Sequence, residues 1–137
     1  MTITGLSPGT RYSGVVILDY TGDLAGQVAK ATLGKSVAKQ TTEVLGLIDA
    51  SLASAGITKS KLLGVNIFPS DISKLSQRNT DCDNWVDKTN MPVRVMVEEK
   101  IASPLKNTEI FCIVALKRFG FSLKSQASEF KHFWFEF

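Results

Sequence analysis

From Glu109 to Leu116 the chain is apolar in both directions across a strand: Phe111, Ile113 and Ala115 follow Glu109 on one side, and Ile110, Cys112, Val114 and Leu116 occupy the other. Successive strand residues point to opposite faces, so a strand with this pattern must be covered above and below. The rest of the sequence supplies only two helical stripes, enough for one face of a sheet of roughly five strands. Large apolar faces mark interfaces, so the chain is expected to associate with itself, helices outside and bare sheet faces packed together.

The other strands are read from turns and period. Arg11 to Tyr20 and Thr21 to Lys30 form an expected hairpin, with Thr21, Gly22 and Asp23 as its turn. Leu62 to Phe68 is a short strand closed by Pro69, which cannot donate to a ladder. After Pro92, Val93, Val95 and Val97 alternate with Arg94, Met96 and Glu98, the period of two that predicts another strand. A loop over Ala102 to Asn107 then leads into the last one.

Between strands the period lengthens. Val37, Thr41, Val44, Leu45, Ile48, Leu52 and Ala55 give one helical stripe, with Ser36 as N-cap and Gly56 at the left-handed C-terminal position. A second helix is expected from Ser70 or Asp71, burying Ile72, Leu75, Asn79, Cys82 and Trp85 or Val86. Asn79 is the polar member of that row and must find hydrogen-bond partners. These elements give an α+β class with a mixed sheet and both helices on one face.

Composition narrows the function classes. The net charge of +3 is spread along the chain, with Lys35 and Lys39, Lys59 and Lys61, and Lys117 and Arg118 as its densest points. That is too diffuse for a nucleic-acid stripe. No apolar run approaches the roughly 18 residues that span a bilayer, and Met1 to Thr10 lacks a signal-peptide pattern, so a cytosolic protein is expected, an organelle left open. Cys82 and Cys112 fall in apolar patterns, which favours buried free thiols over a disulfide or metal pair. The single histidine, His132, lies in the segment 118–137, set apart from a domain over 1–117 because it holds seven of the 12 aromatic residues. That segment reads as an extension packed on its own or a neighbouring subunit, with read-through and a recognition peptide as alternatives.

No P-loop, Gly-x-Gly-x-x-Gly or nucleophile elbow occurs, and the domain has no Ser-His or Cys-His pair. Catalysis there would need carboxylates, arginine, backbone groups and water. Arg94 is conspicuous because it interrupts a valine-rich strand, where an unpaired guanidinium is costly to bury. It pairs with Glu98 or a neighbouring strand's carboxylate, or its planar fork takes a small-molecule carboxylate. Glu109 opens the last strand, either as a plain exposed strand-end residue or where it can orient water and move a proton. Tyr12 is a core-edge tyrosine or closes a pocket.

Taken in order, Arg11-Tyr12-Ser13, Leu24-Ala25-Gly26-Gln27-Val28, Gln40-Thr41, Ala55-Gly56, Asn79, Pro92-Val93-Arg94 and Thr108-Glu109-Ile110 resemble the reactive-intermediate deaminase family, also called YjgF or L-PSP endoribonuclease, over about residues 8–117. The resemblance implies a chorismate-mutase-like α+β fold and homotrimers whose sheets form a central barrel, with clefts between subunits. It implies hydrolysis of 2-enamines and 2-imines to 2-oxo acids and ammonia, without metal or cofactor. By position, Arg94 matches the arginine that clamps the substrate carboxylate and Glu109 the glutamate near the attacking water. Tyr12 and Asn79 match residues lining or bracing the cleft. Ala25 stands where many members have a ligand-contacting serine, and Met96 where many have a cysteine. Three readings follow: an imine deaminase, a carboxylate-binding trimer without turnover, and, least favoured because a metal-free nuclease usually needs a histidine pair, a ribonuclease or translation inhibitor.

Overall fold

The computed structural model describes residues 1–54 and 56–116. The expectations for Ala55, the 118–137 extension and His132 lie outside them. Six strands form one mixed sheet: β1 (Ile3–Pro8), β2 (Ser13–Leu18), β3 (Thr21–Val28), β4 (Leu62–Pro69), β5 (Val93–Met96) and β6 (Thr108–Ala115), in the order β1-β2-β3-β6-β4-β5. β4 and β5 are parallel and every other neighbouring pair is antiparallel.

The sheet thus has one strand more than its sequence suggests. β1 lacks strand chemistry, with Gly5, Ser7 and Pro8 among its six residues, and it buries Leu6 alone among its apolar side chains. Proline and glycine are tolerated because β1 is an edge strand, paired only with β2. The hairpin turn also differs. Leu18 pairs with Thr21, so Asp19 and Tyr20 make the turn, and Asp19 takes the positive φ of 51°. Aspartate tolerates that region. Gly22 belongs to the strand, where a Cβ would sit 3.3 Å from Val114 Cγ2.

Helix α1 (Val37–Ser54) follows its stripe closely, with Val44 and Ile48 fully buried. Each such burial contributes roughly 1.5–3 kcal/mol. Ser36 Oγ accepts from the Lys39 amide at 3.3 Å. At the other end Gly56 has φ +65°, and the amides of Gly56 and Ile57 donate to Ala53 O and Leu52 O at 3.0 and 2.9 Å. This paired closure satisfies carbonyls the helix leaves open.

Helix α2 (Leu75–Trp85) is turned relative to expectation. A 3₁₀ turn, Ile72–Lys74, precedes it, with the Asp71 carboxylate accepting from the Ser73 amide. Three residues per turn put a stripe counted from Ile72 out of phase. Ile72 is exposed, and the buried residues are Arg78, Cys82 and Trp85.

α1 and α2 pack against each other, and α1 contacts β3 and β6. The core they seal holds Val15, Ile17, Val65, Ile67, Ile110, Cys112 and Val114. The opposite sheet face has no helix among the described residues. On it Phe111 and Ile113 are half-buried, and Val93, Val95 and Val97 are 77%, 52% and 45% exposed.

Candidate functional site

The approach to Glu109 is fixed from two sides. Gln40, fully buried on α1, donates through Nε2 to Leu105 O at 2.8 Å and accepts at Oε1 from the Asn107 amide at 3.0 Å. Arg78, fully buried on α2, donates from Nε to Thr108 Oγ1 at 3.2 Å and from Nη2 to Asn107 O at 3.4 Å. The Ser70 amide also donates to Asn107 O. Burial lowers the Arg78 pKa from its ordinary value, while Cys82 and Asp71 act to raise it. No carboxylate among the described residues lies within ion-pair distance of it, so its charge is held by neutral acceptors. Asn107 and Thr108, directly before Glu109, are therefore tied to both helices.

Glu109 then leaves β6 on the face away from the helices. Its carboxylate covers Gly26, where any Cβ would collide with it. Gly26 lies in the register shift between Leu24 and Gln27 of β3, and Gln27 Nε2 holds that irregularity by donating to Ala25 O at 2.9 Å. A bulge re-aims the local chain and glycine permits the close approach. Tyr12, Ala25, Gly26, Glu109 and Phe111 line one open cleft of 440 Å³. The Tyr12 side of the site is thus brought together with Glu109.

Arg94 is elsewhere. On β5 it pairs in register with Val65, whose side chain faces the helices. Glu109 pairs with Phe68, three residues along β4 and on the other face. Arg94 and Glu109 therefore leave the sheet on opposite sides. Arg94 lines a separate cavity of 180 Å³ with Val65, Ile67, Cys82 and Trp85. It is exposed and makes no ion pair among the described residues; the expected alternative partner, Glu98, instead accepts from the Ile72 amide at 2.7 Å. Asn79 is half-buried, with an Oδ1 shut off from solvent and lacking a hydrogen-bond partner among the described residues.

Both cysteines are buried free thiols. Burial pushes Cys82 up to about 11, against the pull of Arg94 and Arg78, and pushes Cys112 up to about 12. Neither is a nucleophile at neutral pH. The sequence reading missed the work of Gln40 and Arg78. The signal was present for Arg78, since 78, 82 and 85 fall at i, i+4 and i+7 of one helix face.

A six-stranded mixed sheet with two helices on one face and a carboxylate cleft on the other defines a class of small α+β proteins. The sequence profile of the family described as Endoribonuclease L-PSP matches residues 2–116. A RutC family protein of Haemophilus influenzae is 42% identical over 113 residues, 82% of this chain and 97% of that protein. A second RutC family protein, from Haemophilus ducreyi, is 31% identical over 114 residues, 83% of this chain and 97% of that one. Among solved structures, a YjgF family member from Neisseria meningitidis superposes with a TM-score of 0.77 at 30% identity, covering 85% of this chain and 97% of that one. A Rid family protein of unknown function from Yersinia pestis gives 0.73 at 26% identity, covering 84% and 100%. The chain belongs to the reactive-intermediate deaminase, or YjgF/L-PSP, family. Among the described residues no helix is long and apolar enough to cross a membrane.

Proposed function

We propose that the protein hydrolyses 2-imines, and 2-enamines after their tautomerisation, to 2-oxo acids and ammonia in clefts between the subunits of a homotrimer. The observation that carries this reading is the placement of Arg94 and Glu109 on opposite faces of one sheet. A small ligand cannot touch both within one chain, whereas the β5 edge of one copy laid on the bare face of another can bring Arg94 of the first beside Glu109 and Tyr12 of the second. The exposed Val93, Val95 and Val97 supply an apolar surface for that contact.

In this site the Arg94 fork holds the substrate carboxylate. Glu109 takes a proton from water as the water oxygen bonds to the imine carbon, and passes it to the imine nitrogen, giving a carbinolamine. Glu109 then moves the carbinolamine's hydroxyl proton to nitrogen, so that ammonia leaves with the C–N electron pair as the carbonyl forms. Overall, imine and water become oxo acid and ammonia, with no redox change. The reading that keeps the carboxylate clamp but not turnover is favoured by Ala25, which puts a methyl group where this cleft would gain from a hydroxyl. The diffuse basic charge gives a nuclease reading less support.

The test is ammonia and 2-oxo acid release with imines generated in situ by an amino-acid oxidase. Acceleration by the wild type is expected, with Glu109→Gln lowering kcat while leaving KM nearly unchanged. Binding of 2-oxo acids without acceleration would move the assignment to the carboxylate-binding protein.

A further inference from the structure

The cavity beside Arg94 is not needed to hold a carboxylate, yet it is built for something apolar. Its walls come from β4 (Val65, Ile67) and α2 (Cys82, Trp85), and its mouth carries Arg94 and Lys88, with Asp83 beside them. The Trp85 Nε1 donates to Asp49 at 2.9 Å, on the side of α1, so the indole offers the cavity only carbon. The Cys82 thiol stays neutral under burial. An apolar chamber with a cationic mouth fits an amphipathic anion.

We infer that this chamber is a side-chain subsite, selecting 2-imino and 2-oxo acids that carry a phenyl or branched aliphatic group, with their carboxylate on Arg94. The inference rests on the proposed carboxylate role of Arg94. Its volume, 180 Å³, is decisive: an apolar cavity of roughly 150 Å³ takes a benzene molecule. A methyl group leaves most of it unfilled and forgoes the burial that a ring or isobutyl group gains.

Two measurements separate this subsite from the deaminase reading. In turnover, the imine derived from phenylalanine is expected to exceed that from alanine in kcat/KM by roughly ten-fold or more. Cys82→Phe, which fills the chamber, should erase most of that preference. Should it impair folding by thermal melt, Cys82→Leu should still narrow the preference about three-fold. An unchanged preference in folded variants overturns the subsite while leaving the deaminase standing. In binding, phenylpyruvate and pyruvate are titrated into full-length Trp134→Phe protein, which leaves Trp85 as the tryptophan reporter. Tighter binding of phenylpyruvate with a change in Trp85 emission supports the subsite even where no imine is turned over. Equal affinities with unchanged emission, as when a neighbouring subunit fills the chamber, overturn it whatever the turnover.

Discussion

The start of β6 and the strand β5 lie on either side of β4, and they are built in opposite ways. Asn107 and Thr108 are tied by Gln40 of α1, Arg78 of α2 and Ser70 just after β4, all of the same chain. β5 has four residues, one strand neighbour and exposed valines, and its arginine lacks an ion pair among the described residues. A segment held by many internal bonds places its side chain without help. One with half its surface bare is finished by what packs on it. Glu109 is thus positioned by folding, and Arg94, in the proposed trimer, by assembly.

The comparison breaks most sharply at Val95. Val95→Lys puts a charge in the bare face and should convert the proposed trimer to monomers by sedimentation, a loss of at least about 3 kcal/mol. An unchanged mass would mean that β5 is not the assembling surface. Next comes Gln40→Leu, which strips the Asn107 amide of its partner, while Leu105 O keeps the Gly34 amide at 2.9 Å. Urea unfolding should show a loss of about 2 kcal/mol, because a backbone group left unpaired costs about 1–3 kcal/mol.

Arg94→Ala should reverse that profile. Imine hydrolysis is expected to fall roughly 30-fold or more, about 2 kcal/mol, while stability moves by less than about 0.5 kcal/mol. Arg94→Lys should also be poor, since an ammonium lacks the planar fork. A large loss of stability in Arg94→Ala would show that it has a structural partner after all.

The smallest expected effect sharpens the internally built side. Glu43 accepts from the amides of Lys30, Ala31 and Thr32 at 2.8, 2.8 and 2.9 Å, and from the Thr32 hydroxyl. Burial acts to raise its pKa, but these bonds outweigh it and bring the group from 4.5 to about 2. A carboxylate lowered in the folded state stabilises above its unfolded pKa, and that stability fades as pH falls from about 4.5 toward 2. Discounted for solvent exposure, the loss is on the order of 1 kcal/mol. Denaturant midpoints at pH 6, 4 and 3 should show it, and Glu43→Gln should flatten the slope.

Local chemistry written in the chain determined much of this molecule. The period of α1, the cap at Ser36, the left-handed Gly56, Pro69 at the end of β4 and the alternation of β5 and β6 each act within a few residues. They are legible because hydrogen-bonding and steric rules at that range depend on neighbours in sequence. The motif order also carried the family. Only the tertiary structure decided the rest. β1 is a strand because β2 offers it an edge, Arg78 is buried because a 3₁₀ turn rotates α2, and Arg94 and Glu109 are separated because β4 pairs them out of step. Each depends on the register and phase of segments far apart in the chain, which no local pattern encodes.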